Sequence, residues 1–197
     1  MSKTVILTKA AIIDGTGAEP MPGSAVVIEE DRIKEVLPSS PKQTPPGAEI
    51  IDCQGQTLLP GLIDAHVHVG AIEANIGEQH RLHLPSYTLV RTLKMMALAL
   101  DQGFTTVRDA GGADAGLRQA VAEGLAVGPR LLVSGSPLTQ TGGHCDFRLP
   151  AETFLPDRPP FGLGGIICDG VTEVRQAARE QLRQGVDQIK VMAGGGC

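Results

Sequence analysis

Tryptophan is absent, tyrosine occurs once, and aromatic residues make up only 3% of the 197 residues. Any core must therefore be built from Val, Ile, Leu, Ala and Met. The four cysteines, Cys53, Cys145, Cys168 and Cys197, form no Cys-x-x-Cys pair. That spacing argues against a disulfide framework or a thiolate zinc site, and free thiols suit a reducing cytoplasm. Lys and Arg are scattered rather than massed, and the net charge is −5. There is thus no electrostatic reason to expect nucleic acid or an anionic membrane as partner. No apolar run approaches the roughly 18 residues needed to cross a bilayer. The N-terminus is apolar for only Val5, Ile6 and Leu7 before Thr8 and Lys9, so it does not read as a signal peptide. Internal repeats and low-complexity tracts are also missing.

What is present falls into two parts. Residues 1–60 read as β-structure. Short β-branched runs at Thr4–Thr8, Ala10–Ile13, Ser24–Glu29, Ile33–Leu37, Ala48–Asp52 and Thr57–Leu59 are separated by Asp14-Gly15-Thr16-Gly17, by Asp31-Arg32 and by a loop with four prolines over 38–47. Strands this short need something to pack on. From Pro60 the pattern alternates. Leu62–Val69, Phe104–Asp109, Arg130–Ser134 and Gln188–Ala193 read as strands. Between them, Ser86–Gln102 carries Leu89, Leu93, Met96 and Leu100 at helical spacing, widened by Val90 and Ala97. Ala113–Gly124 and a segment marked by Val171, Val174, Ala178 and Leu182 are also helical, the latter stopped by Gly185. Repeated strand–helix alternation predicts parallel βα units. No Gly-x-Gly-x-x-Gly joins the first strand to its helix, which argues against a dinucleotide fold. Leu138–Gly170 reads as a long loop rich in Gly and Pro, of the length that tends to carry function.

The densest chemistry is His66-Val67-His68. Strand residues two apart share a face, so both imidazoles project together and could hold one metal ion. Alone, the pair also fits two polar residues at a strand end. Asp64, two residues earlier, shares that face. Lys190 sits in an apolar run before Val191, Met192 and three glycines. A lysine near a strand end usually reaches solvent, whereas a partly buried one keeps a neutral amine available. His144, in Gly142-Gly143-His144-Cys145-Asp146, is a polar loop residue or a substrate-facing group. Asp109 ends the second of these strands beside Arg108 and reads as a supporting partner rather than a catalytic base. His80 and His83 read as surface residues.

The string Leu58-Leu59-Pro60-Gly61-Leu62-Ile63-Asp64-Ala65-His66-Val67-His68 resembles the first barrel strand of the amidohydrolase superfamily. Thr105–Gly112 resembles its second strand. Gly142-Gly143-His144 and Gln188–Gly196 are similar to its Xaa-Pro dipeptidase and imidazolonepropionase-like branch, with Cys145 standing where that branch carries glycine. The resemblance implies an α/β fold: the first four βα strands of a (β/α)8 TIM barrel over 61–197, preceded over 1–60 by part of a small β-sandwich. It implies a metal-dependent hydrolase of amide or peptide C–N bonds, cyclic amides included. The metal ligands would be His66, His68 and Lys190, with a CO2-derived carbamate on Lys190, and the divalent ion would be Zn, one or two per parent enzyme. His144 would contact a small-molecule or dipeptide substrate, and Asp64 and Asp109 would support the ligands. In that family the proton-shuttling Asp comes from an eighth strand and two further His ligands from the fifth and sixth. The expectation is a cytoplasmic chain that is incomplete and inactive by itself, needing a C-terminal half or a second copy as partner. The alternatives are a non-catalytic module that pairs half barrels, or a parent enzyme that hydrolyses esters or lactones.

Overall fold

The computed structural model describes residues 3–152 and 163–194. Gly195, Gly196 and Cys197 of the terminal glycine motif, and residues 153–162 of the long loop, lie outside the described residues. The chain divides into two compact units, Met1–Pro60 and Gly61–Cys197.

In the first unit β1 (Thr4–Ile12), β2 (Met21–Glu29), β3 (Arg32–Leu37), β4 (Glu49–Asp52) and β5 (Thr57–Leu58) form one five-stranded sheet. Its order is β3-β2-β1-β4, with β5 also on β1; the β1–β2 and β2–β3 pairs are antiparallel, and β4 and β5 run parallel to β1. The first two β-branched runs are therefore a single strand. They look separate because Lys9 takes a left-handed backbone, φ 55°, at a register shift between Leu7 and Ala10. One face buries Ala10, Ile12 and Val26, with Leu7, Met21, Ile28 and Leu58 packed around them. Among the described residues of this unit the strands make one sheet, not two.

The second unit is built on a parallel sheet of β6 (Leu62–Val67), β7 (Phe104–Asp109) and β8 (Arg130–Leu132), in that order. Helix α1 (Gln79–Leu82) and helix α2 (Pro85–Asp101) link β6 to β7, and α3 (Ala115–Ala122) links β7 to β8. Met96, Val107, Ala113, Leu117, Leu131 and Val133 form one core cluster, and Leu138, Ile166, Cys168 and Ala177 a second. The β-branched Phe104–Asp109 run suits a buried central strand. Asp114 caps α3 by accepting the Leu117 N–H at 2.9 Å. Gly61 lies where β6 crosses β7 so closely that a Cβ would run into the Thr105 side chain.

Helix α2 keeps part of the expected stripe and departs from it at its N-terminal half. Its buried residues are Thr88, Thr92 and Met96, at intervals of four, while Leu89 and Val90 are exposed. Leu93 still packs against the core beside Met96, so the inward face mixes two threonines with the expected apolar residues.

The long loop after β8 has structure. β9 (Leu138–Thr139) and β10 (Ile166–Ile167) pair in parallel, and α4 (Gly170–Arg183) follows. The expected fourth strand is reduced to a single bridge, Leu138 to Val191. Residues 187–192 still run beside 133–138: Asp187 N–H donates to Val133 O at 2.8 Å, Leu138 N–H to Lys190 O at 2.8 Å and Met192 N–H to Leu138 O at 2.8 Å. Gly135, at φ 63°, and Pro137, which has no N–H, break the ladder between those points. The buried Gln181 side chain takes up the slack by accepting the Ser136 N–H at 2.9 Å. No helix among the described residues is long and apolar enough to cross a membrane.

Candidate active site

The C-terminal ends of β6 and β7 and the segment around Lys190 converge. Lys190 Nζ lies 3.4 Å from His66 Nε2, across 124 residues of sequence. The His66 and His68 rings meet edge to face, centroids 5.5 Å apart. Lys190, then burial, His68 and Arg108 all hold the His66 imidazole below its ordinary pKa, and Asp64 opposes them weakly. His66 is thus kept neutral, with a lone pair available. His68 Nδ1 sits 3.0 Å from Gly111 O. Donation to that carbonyl fixes the proton on Nδ1 and leaves Nε2 as the free ligand atom.

Asp64 accepts the His66 N–H at 3.0 Å and so braces the backbone that carries the imidazole. Arg108 Nε donates to Ala65 O at 2.7 Å, tying β7 to β6. Asp109 is fully buried. Its Oδ1 accepts Gly111 N–H at 2.9 Å and Ala113 N–H at 3.1 Å, and its Oδ2 accepts Val69 N–H at 2.8 Å. Burial pushes its carboxyl above the usual range, against the opposing pull of the three amides and of His68. Through these bonds one side chain clamps the chain just after His68 to the turn that follows β7.

His144 is exposed on a turn that is held at both ends. Asp169 accepts the Thr141 N–H at 3.1 Å and the Thr141 hydroxyl at 2.5 Å. Asp146 accepts the Gly142 N–H at 2.8 Å and a two-pronged contact from Arg148 at 2.6 and 2.7 Å. Cys145 follows His144 in this turn. It is buried, its thiol pushed up to about 11 by burial while the Lys190 charge pulls the other way.

The Arg148 contact holds the Asp146 carboxyl down at about 2. Its ordinary value is about 3.9. A carboxyl lowered on folding stabilises the fold above the unfolded value and loses that contribution as pH falls through the folded one. The turn is therefore expected to loosen between roughly pH 4 and pH 2, by about 1–2 kcal/mol given the partial exposure of Arg148. Exchange of the Gly142 amide across that range checks it, and an acid-independent rate would contradict it.

Several positioning side chains escaped sequence reading. Gln79 is buried, accepts Ile72 N–H at 2.8 Å and donates to Gly70 O at 2.7 Å, bracing the loop after His68. His83 and His80 are partly exposed, and each is more engaged than a plain surface residue. His83 Nε2 lies 2.9 Å from Glu73 Oε1 on the same loop, and the His80 Nε2 is enclosed without a hydrogen-bond partner among the described residues, with burial lowering its pKa. Amide and imidazole side chains look alike in sequence whether they brace backbone or face solvent, so nothing local marked these. Among the described residues no group of three or more His, Cys, Asp or Glu is placed to hold a metal ion. The convergent set here is two imidazoles and one amine.

Comparison with known proteins fits this geometry. Ochratoxinase of Aspergillus niger is 34% identical over 212 aligned residues, which take in 99% of this chain and 43% of the ochratoxinase. A prolidase complexed with N-methylphosphonate-L-proline has 40% identity and a TM-score of 0.88, covering 98% of this chain and 47% of the prolidase. An Xaa-Pro dipeptidase with bound methionine has 26% identity and a TM-score of 0.81, over 98% of this chain and 48% of the dipeptidase. The chain thus spans less than half the length of each of these relatives. Residues 57–197 match the Amidohydrolase family as a whole, and the chain belongs to that family.

Proposed function

We propose that this chain carries part of the centre of a metal-dependent hydrolase that cleaves the C–N bond of an amide or peptide, with dipeptides ending in proline as the favoured substrate class. The observation that carries the proposal is the 3.4 Å approach of Lys190 Nζ to His66 Nε2. The lysine amine and one imidazole nitrogen face each other there, beside the second imidazole of His68, so three nitrogen-bearing side chains converge where an ion could be held. Addition of CO2 to the Lys190 amine, after its ammonium proton has left and with loss of a second proton from nitrogen, would replace a cation with an anionic oxygen donor. Two imidazoles and such an oxygen suit Zn2+. Bound there, a divalent ion would polarise the scissile carbonyl and acidify a water.

The chain's own residues prepare that site. His66 stays neutral, His68 is fixed in one tautomer by Gly111 O, and Asp109 locks the two strand ends together. His144, on its stapled turn, is the group offered to the substrate. In fold terms residues 61–197 are read as the first half of a (β/α)8 barrel and residues 1–60 as part of a small β-sandwich. The dipeptide preference draws support from the prolidase and Xaa-Pro dipeptidase likenesses.

A hydrolytic centre also needs a carboxylate to move the proton to the leaving nitrogen. Neither carboxylate beside the imidazoles is free for this: Asp64 serves the His66 amide and Asp109 is buried on three amides. The 197-residue chain with Zn2+ and bicarbonate is therefore expected to leave Xaa-Pro dipeptides intact. A chimera that continues it with the unmatched half of the similar prolidase is expected to cleave them. Robust cleavage by the chain alone refutes the shared-site reading, and an inert, folded, metal-loaded chimera refutes the substrate class.

A further inference from the structure

Lys190 reaches His66 from a segment that lacks a regular ladder, so its placement needs another explanation. Asp187 N–H and Leu138 N–H fix the two ends of that segment. Between them, Gln188 Nε2 donates to the main-chain carbonyl of Asp109 at 3.0 Å, across 79 residues. The same carbonyl accepts the buried Ser134 hydroxyl at 3.1 Å. Asp109 is also the residue whose carboxylate holds Val69, next to His68. One residue thus grips the imidazole strand with its side chain and the lysine segment with its carbonyl.

We propose that Gln188 is a positioning residue, whose amide bond to the Asp109 carbonyl sets how far the Lys190 amine reaches toward His66. The bond substitutes for the ladder that Gly135 and Pro137 interrupt. A carboxamide is suited to it, because it meets a carbonyl with an N–H while staying uncharged in a half-buried position. The placement of Lys190 stands on geometry alone; its consequence for metal binding rests on the function proposed above.

The test uses isotopically labelled 197-residue chain. In the wild type, a nuclear Overhauser contact between the Lys190 ε-methylene and the His66 ring is expected. Gln188→Met keeps the length and drops the donor; Gln188→Glu keeps the shape and offers only acceptors. Both are expected to lose the contact and to weaken Zn2+ binding in bicarbonate about 10- to 100-fold, the range seen for groups that orient metal ligands, with the thermal midpoint unchanged. Retention of the contact and of wild-type Zn2+ affinity in both variants overturns the inference. A midpoint that collapses in both also overturns it, because the role is then structural. A wild type that shows the contact but binds no Zn2+ strikes down the metal reading instead, and the contact in the variants still decides the role of Gln188.

Discussion

Lys190→Met is expected to lower Zn2+ affinity in bicarbonate by roughly 100-fold or more, because a direct ligand should cost more than the 10–100-fold of an orienting group. Methionine matches the lysine stem in length and apolar character but cannot form a carbamate. His66→Ala should lose a similar factor, with far-UV circular dichroism unchanged, since neither side chain belongs to the hydrophobic core. Bicarbonate supplies a diagnostic contrast: its removal should weaken the wild type and leave Lys190→Met as it was. Competition against a chromophoric chelator measures both. If Lys190→Met binds Zn2+ as the wild type does, the amine takes no part in the site.

The second large effect is on stability. Asp109→Ala removes the acceptor for three buried N–H groups at once. Each unsatisfied donor costs on the order of 1–3 kcal/mol, and partial relaxation lets some find water, so a loss of about 3–5 kcal/mol is expected. Asp109→Asn keeps one oxygen for Gly111 and Ala113 but turns an NH2 toward Val69 N–H, and should lose about half as much. Urea titration resolves the series. An alanine variant as stable as the wild type would mean that the three amides are satisfied by water in solution.

Much of the second unit was legible because its strands and helices follow local rules. Phe104–Asp109 is β-branched and bounded by Gly103 and Gly111, and it is β7 with the expected limits. The helix ending at Gly185 was readable from its periodicity and its stop. The Asp-x-His-x-His alternation put two imidazoles on one side of a strand before any fold was known. Illegible were the features decided by tertiary contact. The burial of Thr88 and Thr92 on α2 was one of these, since pattern reading treats threonine as polar. The fourth strand read well from Gln188–Ala193, but its fate rested on Gly135 and Pro137 in the neighbouring segment. The reach of Lys190 to His66 joins residues 124 apart and depends on a glutamine side chain bonded to a distant carbonyl. Nothing within a window of ten residues encodes that.

Strand β6 has one further consequence. It stands at the margin of the three-stranded sheet, paired on one side only among the described residues, and it shows Leu62 and Ile63 to solvent, the latter 71% exposed. Such a margin recruits whatever extended peptide comes near. The handling of this polypeptide, its yield, its tendency to cloud on concentration and its hunger for chaperones, should be governed by that single row of amides. A tethered synthetic strand with charged outward residues, laid along it, is the natural solubilising device.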